Sequence, residues 1–150
     1  MVIAKMPFHL AVFDADAAEA IMEQEVSVQD WYLAGHSLGG VMAASFAADQ
    51  SDEVAGLIFL AAYPSGDLTD APFPVLSIYG SEDEVLNRES YGAAQVKLPD
   101  DYTEIVLEGG NHGQFGDYGT QSGDGTATIA TVQQQQQTVE AITTFIEKNR

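Results

Sequence analysis

A serine flanked by glycines is the arrangement in this chain best suited to chemistry. Gly35, Ser37 and Gly39 match the pattern G-x-S-x-G, in which a sharp turn from strand to helix exposes a serine at its tip. The apolar run Trp31–Ala34 precedes the turn, as expected for a strand buried on both faces, and an Ala-rich helical segment follows. Such a turn strains the serine backbone, and glycines two positions away on either side remove side-chain collisions. The pattern predicts a nucleophilic serine; the alternative is an ordinary glycine-flanked turn.

The turn would also supply part of the electrostatics that acyl transfer needs. Ser37 is expected at a helix N-terminus, where free N–H groups and the helix dipole favour negative charge. The backbone N–H of Leu38 can then point at a developing oxyanion. We therefore predict Leu38 as one oxyanion donor.

A histidine must accept the serine proton, and a carboxylate must fix the tautomer of that histidine. The chain has 3 histidines. His36 lies inside the turn and is expected to pack or hydrogen-bond beneath it, and His9 precedes the serine, whereas the order that accompanies this turn is serine, acid, histidine. His112 remains, directly after the last predicted strand, at the same sheet edge as Ser37. We predict His112 as the base; the alternative is a surface loop histidine.

The acid is expected after the preceding strand, at the same edge. Glu82, Asp83 and Glu84 compete for this role, and the two residues that separate Gly80 from Asp83 favour Asp83. The alternative for Asp83 is a solvated turn residue. Three residues in the right order, each at the correct strand end, favour the catalytic interpretation.

Composition and charge limit the classes of function. The 150 residues predict one domain, 1–150, with a hydrophobic core, and the absence of cysteine excludes disulfides, thiolate metal sites and cysteine nucleophiles. The formal net charge of −18 repels nucleic acid and anionic membranes, and no apolar run approaches a membrane span. We expect a cytoplasmic protein, since the N-terminus lacks the pattern of a signal peptide. So acidic a chain also suggests adaptation to high salt, where screening reduces self-repulsion.

Apolar runs alternate with helical segments along the chain. This alternation predicts an α/β fold with a mostly parallel sheet of about five strands and helices on both faces. The glutamine run Gln133–Gln137 is expected on an exposed helix surface. The predicted strands are residues 2–6, 31–34, 54–63, 74–79 and 102–107, and the predicted helices are residues 10–25, 38–49, 89–97 and 128–148.

No cofactor or metal site is predicted. Asp117 and Asp124 could hold Ca²⁺ but match no metal-binding spacing, and the histidines lack a supporting carboxylate pattern. No phosphate-binding loop or dinucleotide fingerprint occurs.

At these motifs the chain resembles the α/β-hydrolase superfamily, and more narrowly the small serine hydrolases and carboxylesterases near dienelactone hydrolase. The resemblance implies a nucleophile at Ser37, an acid at Asp83 and a base at His112. We also expect His36, Pro7, Phe8 and His9 at the substrate pocket, shaped further by the loops 64–73 and 113–126. The matching segments are residues 6–13, 34–40, 79–83 and 109–119.

The front of the chain departs from this family pattern. Members normally have further strands and a helix before the segment that matches Val2–Met6, and a loop there provides the second oxyanion N–H. Either Val2–Met6 pairs with the serine-bearing strand, or another chain fills the gap. We therefore expect a homo-oligomer, a dimer, or else a damaged enzyme. Met6–Val12 is a candidate source of the missing donor.

Two functions follow from this reasoning. The first is a serine hydrolase that cleaves small carboxylic esters or thioesters through an acyl-enzyme. The second is a truncated hydrolase-fold protein with little turnover that acts as a binding or interaction subunit.

Overall fold

The computed structural model of the chain describes residues 1–6 and 17–150. Short 3₁₀ turns lie at Ser51–Glu53, Gln95–Lys97 and Gly113–Phe115. The strands are β1 (Tyr32–His36), β2 (Gly56–Leu60), β3 (Val75–Gly80) and β4 (Tyr102–Leu107), and the helices are α1 (Ala17–Gln24), α2 (Leu38–Asp49), α3 (Arg88–Ala94) and α4 (Thr131–Lys148).

The strands form one parallel sheet in the order β1-β2-β3-β4, so each strand pairs with the next along the chain. Gly35 lies opposite Phe59, and Ser77 lies opposite Glu104. The two central strands are buried almost throughout, which explains why their sequences read as continuous apolar runs. The predicted α/β architecture with a mostly parallel sheet is therefore confirmed.

Helices cover both faces of the sheet, as predicted. Because side chains alternate along a strand, neighbouring residues of β2 enter different cores. Leu57 and Phe59 pack with Ala44 and Ala47, two residues of α2. Ile58 packs on the opposite face with Phe145 of α4.

The prediction of five strands is wrong, because the described part of the chain contains four. Residues 1–6 form no strand, and Val2 and Ile3 are 55% and 81% exposed. Strand propensity in a short apolar run has no effect unless the run finds an edge to pair with and a core to cover.

Other element boundaries shift by a few residues. The predicted helices and strands at 38–49 and 102–107 coincide with α2 and β4, whereas β2 ends at Leu60 because Ala61 has φ 50°. The predicted helix at 10–25 is observed from Ala17 to Gln24, and its first seven residues lie outside the described range. None of the described helices combines the length and apolarity needed to cross a membrane.

Candidate active site

The turn between β1 and α2 holds Ser37 in a strained conformation. Its φ of 52° and ψ of −124° lie in a region that side-chain-bearing residues rarely adopt. The N–H of Ser37 donates to the carbonyl of Leu60 at 2.9 Å, which ties the turn to the end of β2. This is the geometry expected of a serine raised at a sharp strand-to-helix corner.

Two glycines make this corner possible, and they are not the pair in the motif. A Cβ on Gly35 would lie 2.3 Å from the backbone carbonyl of Gly39, and one on Gly40 would lie 2.5 Å from the Cβ of Ala62. A Cβ on Gly39 would meet no described atom within 4 Å. Gly35 and Gly40 therefore allow the close approach of α2 to the sheet, and the expected steric role of Gly39 is not observed.

Asp83 lies in the loop after β3 and is only 4% exposed. Its Oδ1 accepts hydrogen bonds from the N–H groups of Val85 at 2.9 Å and Leu86 at 2.8 Å, and its Oδ2 lies 2.9 Å from Nδ1 of His112. Burial raises the pKa of Asp83, but the hydrogen bonds from His112, Leu86 and Val85 outweigh burial, so the pKa is lowered overall. Asp83 is thus an ionised partner for a histidine.

The neighbouring acid Glu82 has a different contact. Its Oε1 accepts a hydrogen bond from the hydroxyl of Ser81 at 2.9 Å, and that hydroxyl accepts one from the N–H of Gly109 at 2.8 Å. A Cβ on Gly80 would collide with the carbonyl of Gly110 at 2.2 Å. The loops after β3 and β4 are therefore in close backbone contact, which brings Asp83 to His112.

His112 follows β4, is 2% exposed, and reaches across the ends of the intervening strands to β1. Its ring centroid lies 4.6 Å from that of His36, the last residue of β1. β1 and β4 are three strand spacings apart, about 14 Å. The loop after β4 must cross the ends of β3 and β2, and it brings the imidazole beside the residue that precedes Ser37.

His36 packs among aromatic rings. Its ring lies 5.8 Å from that of Phe115 and 5.9 Å from that of Tyr118, in addition to His112. Burial, and then the neighbouring charge of His112, lower the pKa of His36 to about 4. Nε2 of His36 has no hydrogen-bond partner among the described residues. His36 is therefore neutral at neutral pH and packs against the segment that follows β4.

The contacts of two further residues in this region were not predicted from the sequence. Asp124 accepts hydrogen bonds from the N–H groups of His112 and Gly113, so its carboxylate is already occupied by backbone donors. Gln134 is fully buried, which corrects the expectation that the glutamine run lies on the surface. The helical period offered a signal, since Gln134 is in step with the buried residues Thr138 and Phe145 of α4.

Pro7, Phe8 and His9, which were expected at the substrate pocket, lie outside the described residues. In the loop 64–73, Leu68 and Phe73 are buried in the core on the α2 face. Within the described part of the chain, no cluster of three or more His, Asp or Glu residues could hold a metal ion.

Comparisons with known proteins identify the family of this chain. A model described as the alpha/beta hydrolase family matches residues 1–137. The chain belongs to this family. The branch near dienelactone hydrolase stays a prediction, and the comparison with curated proteins gives no match.

Solved structures of alpha/beta hydrolases are similar to this chain. An alpha-beta serine hydrolase homologue from Coxiella burnetii is 32% identical with a TM-score of 0.53, over 67% of this chain and 50% of that one. A CIB-like hydrolase from Thermoplasma acidophilum is 22% identical with a TM-score of 0.55, over 68% of this chain and 52% of that one. A thermophilic esterase from Thermogutta terrifontis is 15% identical with a TM-score of 0.68, over 99% of this chain and 75% of that one. The chain thus spans about half the length of the first two proteins.

Proposed function

We propose that this alpha/beta hydrolase cleaves small carboxylic esters or thioesters through a Ser37–His112–Asp83 triad. The observation that carries the proposal is the 2.9 Å contact between buried His112 and buried Asp83, at the sheet edge where the strained Ser37 lies. A buried histidine with a carboxylate on Nδ1 leaves Nε2 as the nitrogen that accepts a proton from a serine.

In the proposed acylation step, the Oγ of Ser37 attacks the carbonyl carbon of the substrate while His112 Nε2 takes the Oγ proton. Asp83 keeps the proton on Nδ1 and stabilises the imidazolium. The tetrahedral intermediate then expels the alcohol or thiol, which receives the proton held by His112, and an acyl-Ser37 ester remains.

Deacylation repeats these steps with water. His112 removes a proton from water, the hydroxide attacks the acyl carbon, and Ser37 leaves as its hydroxyl after regaining the proton. The N–H of Leu38 at the start of α2 is the proposed oxyanion donor in both steps. A second donor from Met6–Val12, and substrate contacts from Pro7, Phe8 and His9, remain predictions.

The class of substrate rests on family membership and on similarity to hydrolases that include an esterase. We favour small acyl groups because Phe115 and Tyr118 pack against the ring of His36 beside the site. Acyl chain length is the property to measure first, with nitrophenyl esters of increasing length.

A fluorophosphonate probe tests the proposal, because it labels only an activated serine. We expect labelling of the wild type at Ser37, none in Ser37→Ala, and strongly reduced labelling in His112→Ala. Turnover of a nitrophenyl ester is expected to fall by about 10⁴-fold or more in either variant. A folded wild-type protein that does not react with the probe would contradict the proposal.

The second candidate is a binding subunit with little turnover. It is favoured by the edge position of β1, which pairs only with β2 within the described residues and can accept a strand from another chain. Absence of labelling in the folded wild type would support this candidate over the hydrolase.

A further inference from the structure

The carboxylate of Asp124 holds the backbone at the residue that bears the proposed catalytic imidazole. Oδ1 accepts a hydrogen bond from the N–H of His112 at 3.2 Å, and Oδ2 accepts one from the N–H of Gly113 at 2.8 Å. Oδ1 also accepts the N–H of Gly125 at 2.9 Å. One side chain thus binds two consecutive amides of the loop that follows β4, called here the histidine loop because it contains His112, and one amide of its own loop.

Gln134 of α4 holds the preceding residue of the same loop from the other side. Its Oε1 accepts a hydrogen bond from the N–H of Asn111 at 3.0 Å, and its Nε2 donates to the carbonyl of Asn111 at 2.8 Å. Because one amide side chain both accepts from and donates to the same residue, the orientation of the Asn111 backbone is fixed. Gln134 has no exposed surface, so water does not compete for these bonds.

The side chain of Asn111 connects the two supports. Its Nδ2 donates to the carbonyl of Gly125 at 2.8 Å, and its Oδ1 accepts from the N–H of Gln114 at 3.1 Å. The segment 111–114 is therefore bound to the segment around Gly125 and to α4 at the same time.

We propose that Asp124 is a positioning residue for His112, with Gln134 as a second support of the same loop. This inference rests on the proposed function. The bond between His112 and Asp83 fixes one ring nitrogen but leaves the backbone free to shift, and the histidine loop extends from β4 to β1. Anchoring two consecutive amides removes that freedom and holds the imidazole beside His36, the residue that precedes Ser37.

Asp124→Asn tests the proposal with little change in shape, because it replaces one of the two acceptor oxygens with a donor that opposes an N–H group. A displacement of about 1 Å in a catalytic group costs about 10²-fold in rate. We expect kcat for a nitrophenyl ester to fall about tenfold to a hundredfold, with KM within about twofold of the wild type.

Asp100→Asn is the matched control, since it removes the same charge from an exposed position before β4, outside the loops that are expected to shape the substrate pocket. Its kcat is expected to equal that of the wild type. Equal losses of kcat in Asp100→Asn and Asp124→Asn would show that the effect comes from net charge and would overturn the proposal.

Nitrogen-15 NMR of the histidine rings tests positioning without requiring turnover. We expect a single Nδ1–H tautomer for His112 in the wild type and in Asp100→Asn, and mixed tautomers or exchange broadening in Asp124→Asn. An unchanged His112 ring spectrum in Asp124→Asn overturns the positioning role. Loss of the tautomer in a chain whose wild type hydrolyses no ester supports positioning and contradicts the proposed function alone.

Asp124→Glu keeps a carboxylate on a longer stem and is expected to recover part of the kcat that Asp124→Asn loses. It also serves as the test variant if Asp124→Asn does not fold. Gln134→Met, compared with Gln133→Met at an exposed position of the same glutamine run, tests the second support. We expect a lower kcat and a disturbed His112 ring spectrum only in Gln134→Met, and equal behaviour of the pair would remove Gln134 from the proposal.

Discussion

Two histidine rings that lie 4.6 Å apart have opposite surroundings. His112 has the Asp83 carboxylate on Nδ1, whereas burial lowers the pKa of His36 to about 4 and its Nε2 has no partner among the described residues. Among the described residues, the ring of His112 is in hydrogen-bond contact with a carboxylate and that of His36 is not. The neutral His36 therefore avoids a second charge beside the proposed base.

Asp83→Asn is expected to change the tautomer of His112 without disturbing the fold. The Asn oxygen can still accept the N–H groups of Val85 and Leu86, while its NH₂ would face Nδ1 of His112 and favour the wrong tautomer. We expect kcat/KM for a nitrophenyl ester to fall by about 10⁴-fold, with little change in melting temperature. Glu82→Gln is the control, and comparable losses in the two variants would contradict the assignment of Asp83.

The depressed pKa of His36 predicts that stability falls on mild acidification. The unfolded chain binds a proton at this ring near pH 6.5 and the folded chain only near about pH 4, so the contribution is present above 6.5 and is lost as pH falls towards 4. Asp83, whose pKa is also lowered, adds stability that is present above its unfolded pKa of 3.8 and is lost as pH falls below that value.

Urea unfolding between about pH 7 and about pH 4 measures this loss. We expect His36 to account for ~2 kcal/mol once its partial exposure is allowed for. His36→Phe removes the titrating ring and should flatten the pH dependence. An equal change of the unfolding free energy with pH in the wild type and in His36→Phe would contradict the contribution of His36.

At this scale, the sequence predicted the residues that a known motif and strand order bring together. Ser37 and His112 were assigned because each follows a recognisable strand, and their places at the sheet edge follow from topology. The sequence did not predict the contacts of Asp124 and Gln134. Their partners are backbone amides of a distant loop, and such contacts leave no local sequence pattern.

At the scale of elements, the corner between β1 and α2 depends on where a Cβ can fit. A Cβ on Gly35 would lie 2.3 Å from backbone atoms that cannot move aside, whereas a Cβ on Gly39 would meet none of the described atoms within 4 Å. The motif alone gives both glycines the same importance, and only the packing of α2 distinguishes them.

Gly35→Ala is expected to destabilise the fold by ~2 kcal/mol or more, because the added methyl group must displace backbone at the corner. Gly39→Ala is expected to change stability by less than about 1 kcal/mol, in the stabilising direction, since alanine is the better helix former. Denaturant unfolding of both variants provides the measurement. Equal destabilisation would show that this corner does not depend on the close approach at Gly35.

Elements in the interior were predicted more accurately than those at the edge. β2 and β3 are buried on both faces, so composition alone predicted them. Residues 2–6 have a similar composition but no partner strand in the part of the chain that the structure describes. The number of strands depends on pairing between distant segments, which the local pattern does not encode.

At the scale of the whole molecule, negative charge is almost uncompensated. The net charge is −18, and among the described residues the one Lys or Arg ion pair joins exposed Lys148 to Asp101 at 3.9 Å. Repulsion between exposed carboxylates therefore opposes folding at low ionic strength.

We expect the melting temperature to rise between low salt and molar KCl, because the Debye length shortens from about 10 Å at 0.1 M to about 3 Å at 1 M. A variant with Glu108, Asp117 and Glu147 neutralised, all of them exposed, should show a smaller rise. A melting temperature independent of KCl would contradict adaptation to salt.

The outer edge of β1, which has no partner strand among the described residues, predicts self-association, and the negative charge opposes it. We propose a dimer that covers this edge and that is more populated in molar KCl than at low salt. Light scattering after gel filtration at the two salt concentrations measures the mass, and a monomer in both would exclude the dimer.

The sequential strand order also has a consequence for how the protein is made. A ribosome releases Ser37, which directly follows β1, before His112, which follows β4, and the histidine loop can reach β1 only across β2 and β3. A nascent chain that stalls before β4 therefore carries Ser37 without His112. Under the proposed function, the reactivity of Ser37 towards esters begins only after the histidine loop has been synthesised.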